Sequence, residues 1–158
     1  MKKLITIIVF LGFAYQAFSC DCLYLKHFMK TLKFSEYAVI GQLVEITETD
    51  SVPLFGKVGV KGRFKIQQVL KGKIETSEIE VVGGVSIDCR EDLSNLKLNT
   101  DYVILLDYDF GLSVCGYTYL PLENGVVHGR INKKKEQIMP LDELIRKIER
   151  KKTVVNKL

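Results

Sequence analysis

Four cysteines constrain this chain of 158 residues more than any other feature. They stand at Cys20, Cys22, Cys89 and Cys115, separated by gaps of one, 66 and 25 residues. Cys20 and Cys22 are too close to bond each other comfortably, because a one-residue spacer strains disulfide geometry. If all four pair, two arrangements remain, and each ties the stretch around residue 20 to two distant points of the chain. A structural zinc site would draw on the same thiols. The usual spacers of about two to four residues are absent, however, and only His27 and His128 are available to complete such a site.

The residues ahead of the first cysteine place those thiols in an oxidising compartment. Met1-Lys2-Lys3 is followed by the uncharged run "LITIIVFLGFA" and by small residues at Ala17 and Ser19, the layout of a signal peptide over 1–19. The apolar run falls short of the roughly 20 residues that span a bilayer, so no transmembrane segment is expected. Cleavage after Ser19 would make Cys20 the first residue of a secreted, extracellular or periplasmic chain, where an even cysteine count reads first as two disulfide bonds. A lipid anchor on Cys20 is the competing expectation and would hold the protein at the envelope. Ala17-Phe18-Ser19 lacks the aliphatic residue usual at the place of Ala17. Acylation would also consume one thiol and leave an odd number.

Removing 19 residues leaves 139, a length that suits one domain with one core. Without Lys2 and Lys3, 21 basic side chains face 19 acidic ones, a formal charge of +2. That balance argues against a nucleic-acid partner. The excess sits in 133–158, with nine Lys/Arg against four Asp/Glu, and reads as the solvated face of a helix.

Periodicity outlines the rest. In "LYLKHFMKTLKF", Leu25, Phe28, Met29 and Leu32 take the i, i+3, i+4, i+7 positions of a short amphipathic helix. "YAVIGQLVEITET" reads as the first strand, with Gly41 marking a bulge or bend. "DSVPLFGKVG" reads as a loop. "KGRFKIQQVLKG" and "SEIEVVGG" alternate as half-buried strands, while "DYVILL" is apolar throughout and reads as a strand covered on both faces. "LSVCGYTYLPL" and "GVVHGRI" form a last pair around the turn Glu123-Asn124-Gly125. From Pro140 onward, Leu141, Leu144, Ile145 and Ile148 give the apolar stripe of a C-terminal helix that ends among Arg150, Lys151 and Lys152. Five or six strands flanked by two helices, with glycine kinks, suggest a small closed barrel, though pattern alone does not separate it from a sandwich.

No catalytic constellation stands out. His27 lies in the first helix and His128 in a strand, isolated from each other in sequence. There is no nucleophile elbow, no His-Glu-x-x-His and no phosphate loop. The acidic pairs Asp107/Asp109 and Glu91/Asp92 read as turn residues. A non-enzymatic chain without a cofactor is expected.

One resemblance absorbs the cysteines. The order Cys-x-Cys after the leader, "FSEYAVIGQLVEI", "FKIQQVLKG", a third cysteine about 70 residues on, "DYVILL" and "CGYTYLP" resembles the netrin-like superfamily of the tissue inhibitors of metalloproteinases, most closely its small secreted bacterial members. The likeness covers nearly all of 20–131. It implies a five-stranded OB-type (netrin-like) closed barrel over 20–132 with helices packed against it, the short N-terminal helix among them; the basic amphipathic helix read from the residues themselves takes 133–158. The likeness also implies the pairing Cys20–Cys89 and Cys22–Cys115, each bond worth in principle about 4 kcal/mol by chain entropy and less together. In the animal inhibitors the α-amine and carbonyl of the first cysteine chelate the catalytic zinc of a protease. Carried over, Cys20 would be the zinc-chelating residue, with Cys20, Asp21 and Cys22 contacting a zinc metalloendopeptidase. The partner would be that enzyme or another extracellular protein, bound by a monomer. Two departures stand out: Asp21 replaces the small or β-branched residue usual at that place, and the family's third cysteine pair in this domain is missing.

Overall fold

The computed structural model describes residues 25–85, 89–133 and 135–155. Among these residues the fold is mainly β, with seven antiparallel strands in one sheet and two helices. The chain runs through helix α1 (Phe28–Thr31), β1 (Tyr37–Val52), β2 (Gly56–Lys71) and β3 (Glu78–Val82). It continues through a 3-10 turn (Leu93–Asn95), β4 (Asp101–Leu106), β5 (Tyr119–Glu123), β6 (Val126–Gly129), β7 (Gln137–Pro140) and helix α2 (Leu141–Val155). The order across the sheet is β3-β2-β1-β4-β5-β6-β7.

β1 and β4 lie at the centre because they are apolar on both faces. Ala38 and Ile40 of β1, with Val103 and Leu105 of β4, point to one side, where α1 and α2 cover them with Phe28, Met29, Leu144 and Ile148. Val39, Leu43, Ile104 and Leu106 point to the other, where Phe64, Ile79, Val81 and Leu93 complete a second core. The uninterrupted apolar run of "DYVILL" is thus explained, and so is the alternation in β3, where Ile79 and Val81 are buried between exposed Glu78 and Glu80.

The expected bend at Gly41 is present. The β1–β2 register shifts between Ile40 and Gly41. A Cβ at Gly41 would collide with the Lys65 carbonyl and the Phe64 ring. The turn between β5 and β6 also falls where expected, with positive φ at Asn124 (51°) and Gly125 (77°), as two-residue hairpin turns require.

Three expectations are corrected. The sheet is not closed into a five-stranded barrel. β6 and β7 extend the order beyond β5, so the ends of the sheet are β3 and β7. The nearest approach to closure is a single parallel bridge from Val82 to Gly111, made by Val82 N–H to Phe110 O (3.1 Å) and Leu112 N–H to Val82 O (2.9 Å). The stretch "DSVPLFGKVG" is not a free loop: β1 continues to Val52 and β2 begins at Gly56, forming a long hairpin arm. Cross-strand ion pairs Glu48–Lys61 (2.9 Å) and Glu45–Arg63 (2.8 Å) lie along that arm. Finally, residues 137–140, assigned to the basic helical tail, form β7 and pair with β6 from Val126–Pro140 to Gly129–Gln137.

Candidate functional site

Cys20, Asp21 and Cys22, together with residues 1–19, where a signal peptide is expected, lie outside the described residues, so the expected zinc-chelating terminus is not placed. The other two cysteines are, and the fold brings them together. Cys89 and Cys115 lie 4.3 Å apart, and no disulfide is seen between them. Neither is a free cysteine. The two strands of chain that carry them are stitched by Val114 N–H to Cys89 O (3.1 Å) and by the Arg90–Ser113 bridge. Cys89 holds a positive φ of 59°, a backbone region that non-glycine residues seldom adopt.

The corner faces the incoming N-terminal segment. Leu25 forms a parallel bridge to Gly116, the residue after Cys115. Beyond it, α1 is fastened by Phe28 N–H to Arg130 O (2.8 Å) and Met29 N–H to Ile131 O (2.9 Å). The side chain of His27 caps the helix, its Nδ1 accepting from Lys30 N–H at 3.2 Å. Burial, with the charges of Lys151 and Lys30, holds the His27 imidazole below its ordinary pKa, outweighing a backbone hydrogen bond to Ile131.

Sequence patterning missed Arg90. Its side chain is 19% exposed and reaches two carboxylates, Nη1 to Asp107 Oδ2 at 3.2 Å and Nη2 to Asp109 Oδ2 at 2.6 Å. The guanidinium crosses directly over Gly111, where any Cβ would occupy the same space. Asp109 also accepts from Gly111 N–H (3.2 Å), and Asp107 N–H donates to Gly111 O (3.0 Å). Asp107 and Asp109 are turn residues as expected, but they act as a clamp. Burial raises the Asp107 carboxyl above the ordinary range; the Arg90 charge opposes this only in part, and Asp109 adds to it.

Asp92 ties this corner to the hairpin arm. Its Oδ1 accepts from Ser94 N–H, capping the 3-10 turn, and from Gly59 N–H, both at 2.8 Å. Gly83 N–H to Val60 O (2.8 Å) adds a second tie. At the tip of the arm Leu54 is fully exposed and Phe55 half exposed.

His128 lines a cleft of about 330 Å³ with Glu91, Gly116, Tyr117, Tyr119 and Glu136, next to the same corner. Burial, then the Glu91 charge, raises the Tyr119 hydroxyl. Arg130 stacks over Tyr117 at 5.1 Å from the ring centre. Its Nε lies 3.4 Å from Glu136 Oε1, an ion pair without hydrogen-bond geometry. Among the described residues no group of three or more His, Cys, Asp or Glu side chains could hold a metal ion. No helix among them is long and apolar enough to cross a membrane.

No family model, curated protein or solved structure matches the chain. The netrin-like resemblance therefore rests on the residues quoted for it.

Proposed function

We propose that the protein is a secreted protein-binding module that inhibits a zinc metalloendopeptidase through the N-terminal Cys20. The observation that carries this reading is the meeting of Cys89 and Cys115 at one corner, 4.3 Å apart, with no disulfide seen between them and neither of them free. Cys20 and Cys22 are the remaining cysteines of the chain. The parallel bridge from Leu25 to Gly116 supports their approach to that corner, since Cys22 precedes Leu25 by three residues and Cys115 precedes Gly116 by one. The pairing Cys20–Cys89 and Cys22–Cys115 is part of the proposal. So is an OB-like ancestry for strands β1 to β5, with the Val82–Gly111 bridge as the trace of closure.

The chemistry follows from the chain's own atoms. A neutral α-amine, with a pKa near 8, and the adjacent carbonyl oxygen of Cys20 form a five-membered chelate on zinc with an open position. Two bonds to a rigid corner keep the ordering entropy lost on docking small. The exposed Leu54 and Phe55 supply a second, apolar contact on an arm anchored to the same corner through Asp92. Asp21 restricts the target. Burying its carboxylate without a partner would cost several kcal/mol, so the specificity pocket it enters must carry a cation or remain wet.

The test compares the chain beginning at Cys20 with one carrying an added Ala ahead of it, against a panel of zinc endopeptidases. The extension removes the α-amine from the chelating position and should abolish inhibition. Equal inhibition by both chains would rule out chelation by Cys20.

A further inference from the structure

Two basic stretches far apart in sequence meet on the helical side of the sheet. Lys151 of α2 donates from Nζ to the carbonyl of Met29 in α1 at 2.7 Å, which pins the end of one helix against the other. Lys26, Lys30 and Lys33 are exposed around α1, and Arg150 is exposed beside Lys151. None of the side chains of Lys26, Lys30, Lys33 and Arg150 joins an ion pair among the described residues, whereas Arg146 and Lys147, nearer the start of α2, are neutralised by Asp142 (3.0 Å) and Glu143 (2.8 Å). Besides Asp142 and Glu143, the acidic residues in these segments are Glu36, in the turn before β1, and Glu149, in α2. The cations affect one another. After burial, the charge of Lys33 lowers the pKa of Lys151, and those of Lys151 and Lys30 lower that of His27. Next to Lys33, Phe34 stands 64% exposed on a protein whose other core-side aromatics at this end, such as Phe28, are buried.

We propose that this face, formed by Lys26, Lys30, Lys33, Arg150, Lys151 and Phe34, docks on a membrane surface rich in anionic phospholipid. Charge complementarity chooses the partner. Lys30, Lys33 and Lys151 act on one another's surroundings across the two helices, and Lys26 and Arg150 are exposed next to them in sequence. On a chain with little net charge such a cluster suits a plane of phosphates, which engages its members together. Phe34 favours a lipid surface over a soluble polyanion, because an exposed aromatic gains nothing from a hydrated polymer and partitions into the headgroup boundary. The long aliphatic stems of the lysines reach past the helix while their charges stay in water. This docking uses other side chains than Cys20, Asp21 and Cys22, which the zinc-binding proposal uses.

Flotation of the chain 20–158 with equimolar phosphatidylglycerol/phosphatidylcholine vesicles, against vesicles of phosphatidylcholine alone, tests the proposal. Binding should require phosphatidylglycerol and weaken as salt rises from low to physiological strength. Each cation near an anionic leaflet contributes about fivefold in affinity, so combining Lys30→Glu, Lys33→Glu and Arg150→Glu should weaken binding by about 100-fold or more. Phe34→Ser should weaken vesicle binding severalfold and leave binding to soluble dextran sulfate unchanged. These positions are exposed, and melting curves should not move. If the triple variant does not fold, Lys30→Glu alone carries the test at about fivefold. Absence of flotation, equal binding to both vesicles, a triple variant that still binds, or an inert Phe34→Ser overturns the proposal; the last of these would assign the face to a polyanion.

Discussion

Arg90 Nη2 donates to Asp109 Oδ2 at 2.6 Å, and that bond joins the segment carrying Cys89 to the turn that leads into Cys115. The second arm of the guanidinium holds Asp107 at 3.2 Å. The two carboxylates are not equivalent. Asp109 also accepts from Gly111 N–H, while burial raises the pKa of Asp107. Asp109→Asn should therefore destabilise the fold by about 1–2 kcal/mol, and Asp107→Asn at neutral pH by less than about 0.5 kcal/mol. For Asp107 the native state holds its proton more tightly than the unfolded chain does. Just above the ordinary carboxylate range its contribution thus falls as pH rises. Melting curves between acid and neutral pH should show Asp107→Asn flattening that decline.

Gly111 lies beneath the same guanidinium, and a methyl group there would occupy the space of Arg90. Gly111→Ala should displace Arg90 from both carboxylates and cost about 2 kcal/mol or more. Pairing it with Arg90→Ala in a double-mutant cycle should show strong non-additivity, since the clash vanishes with the side chain. Additive losses would mean that Gly111 matters for another reason.

His27 makes the N-terminal helix sensitive to acid. Its imidazole caps Lys30 N–H as an acceptor, which requires the neutral form, and its pKa is held below the ordinary value of 6.5. The unfolded chain then binds the proton more readily than the folded one. Stability should rise with pH up to about 6.5 and be lost as pH falls through the lowered value. His27→Ala should remove this slope, as read from denaturant midpoints at a series of pH values.

The tail beyond residue 132 belongs to the core. β7 pairs along β6, and Leu144 and Ile148 are buried against Val103, Leu105 and Phe28. Leu144→Ala should cost about 2–5 kcal/mol. A chain ending at 132 should not fold cooperatively, which circular dichroism and amide exchange would report directly.

The sequence was legible wherever burial imposes a period. The alternation of β3, the apolar run of β4 and the stripe of Leu144 and Ile148 all follow from which faces meet a core. The hairpin arm was illegible because residues 49–57 are largely exposed on both faces, so the chain there carries no hydrophobic alternation to read. β7 is four residues long and ends at Pro140, too short to show a pattern between charged neighbours. An open sheet looked like a barrel because glycine bends and strand number are common to both, while the addition of β6 and β7 at one end depends on pairing alone. The Arg90 clamp spans 17 and 19 residues of sequence and exists only once the turn at 107–110 is formed. The meeting of Cys89 and Cys115 is likewise a product of the fold.

The central claim is that the chain's N-terminus is tied to that corner with its amine free. Non-reducing peptide mapping of the protein purified from its native host, with intact mass, tests it most directly. The account predicts a chain of residues 20–158 lighter by four hydrogens, with cross-linked peptides joining Cys20 to Cys89 and Cys22 to Cys115. Acyl mass on Cys20, or a peptide joining Cys89 to Cys115, would contradict it.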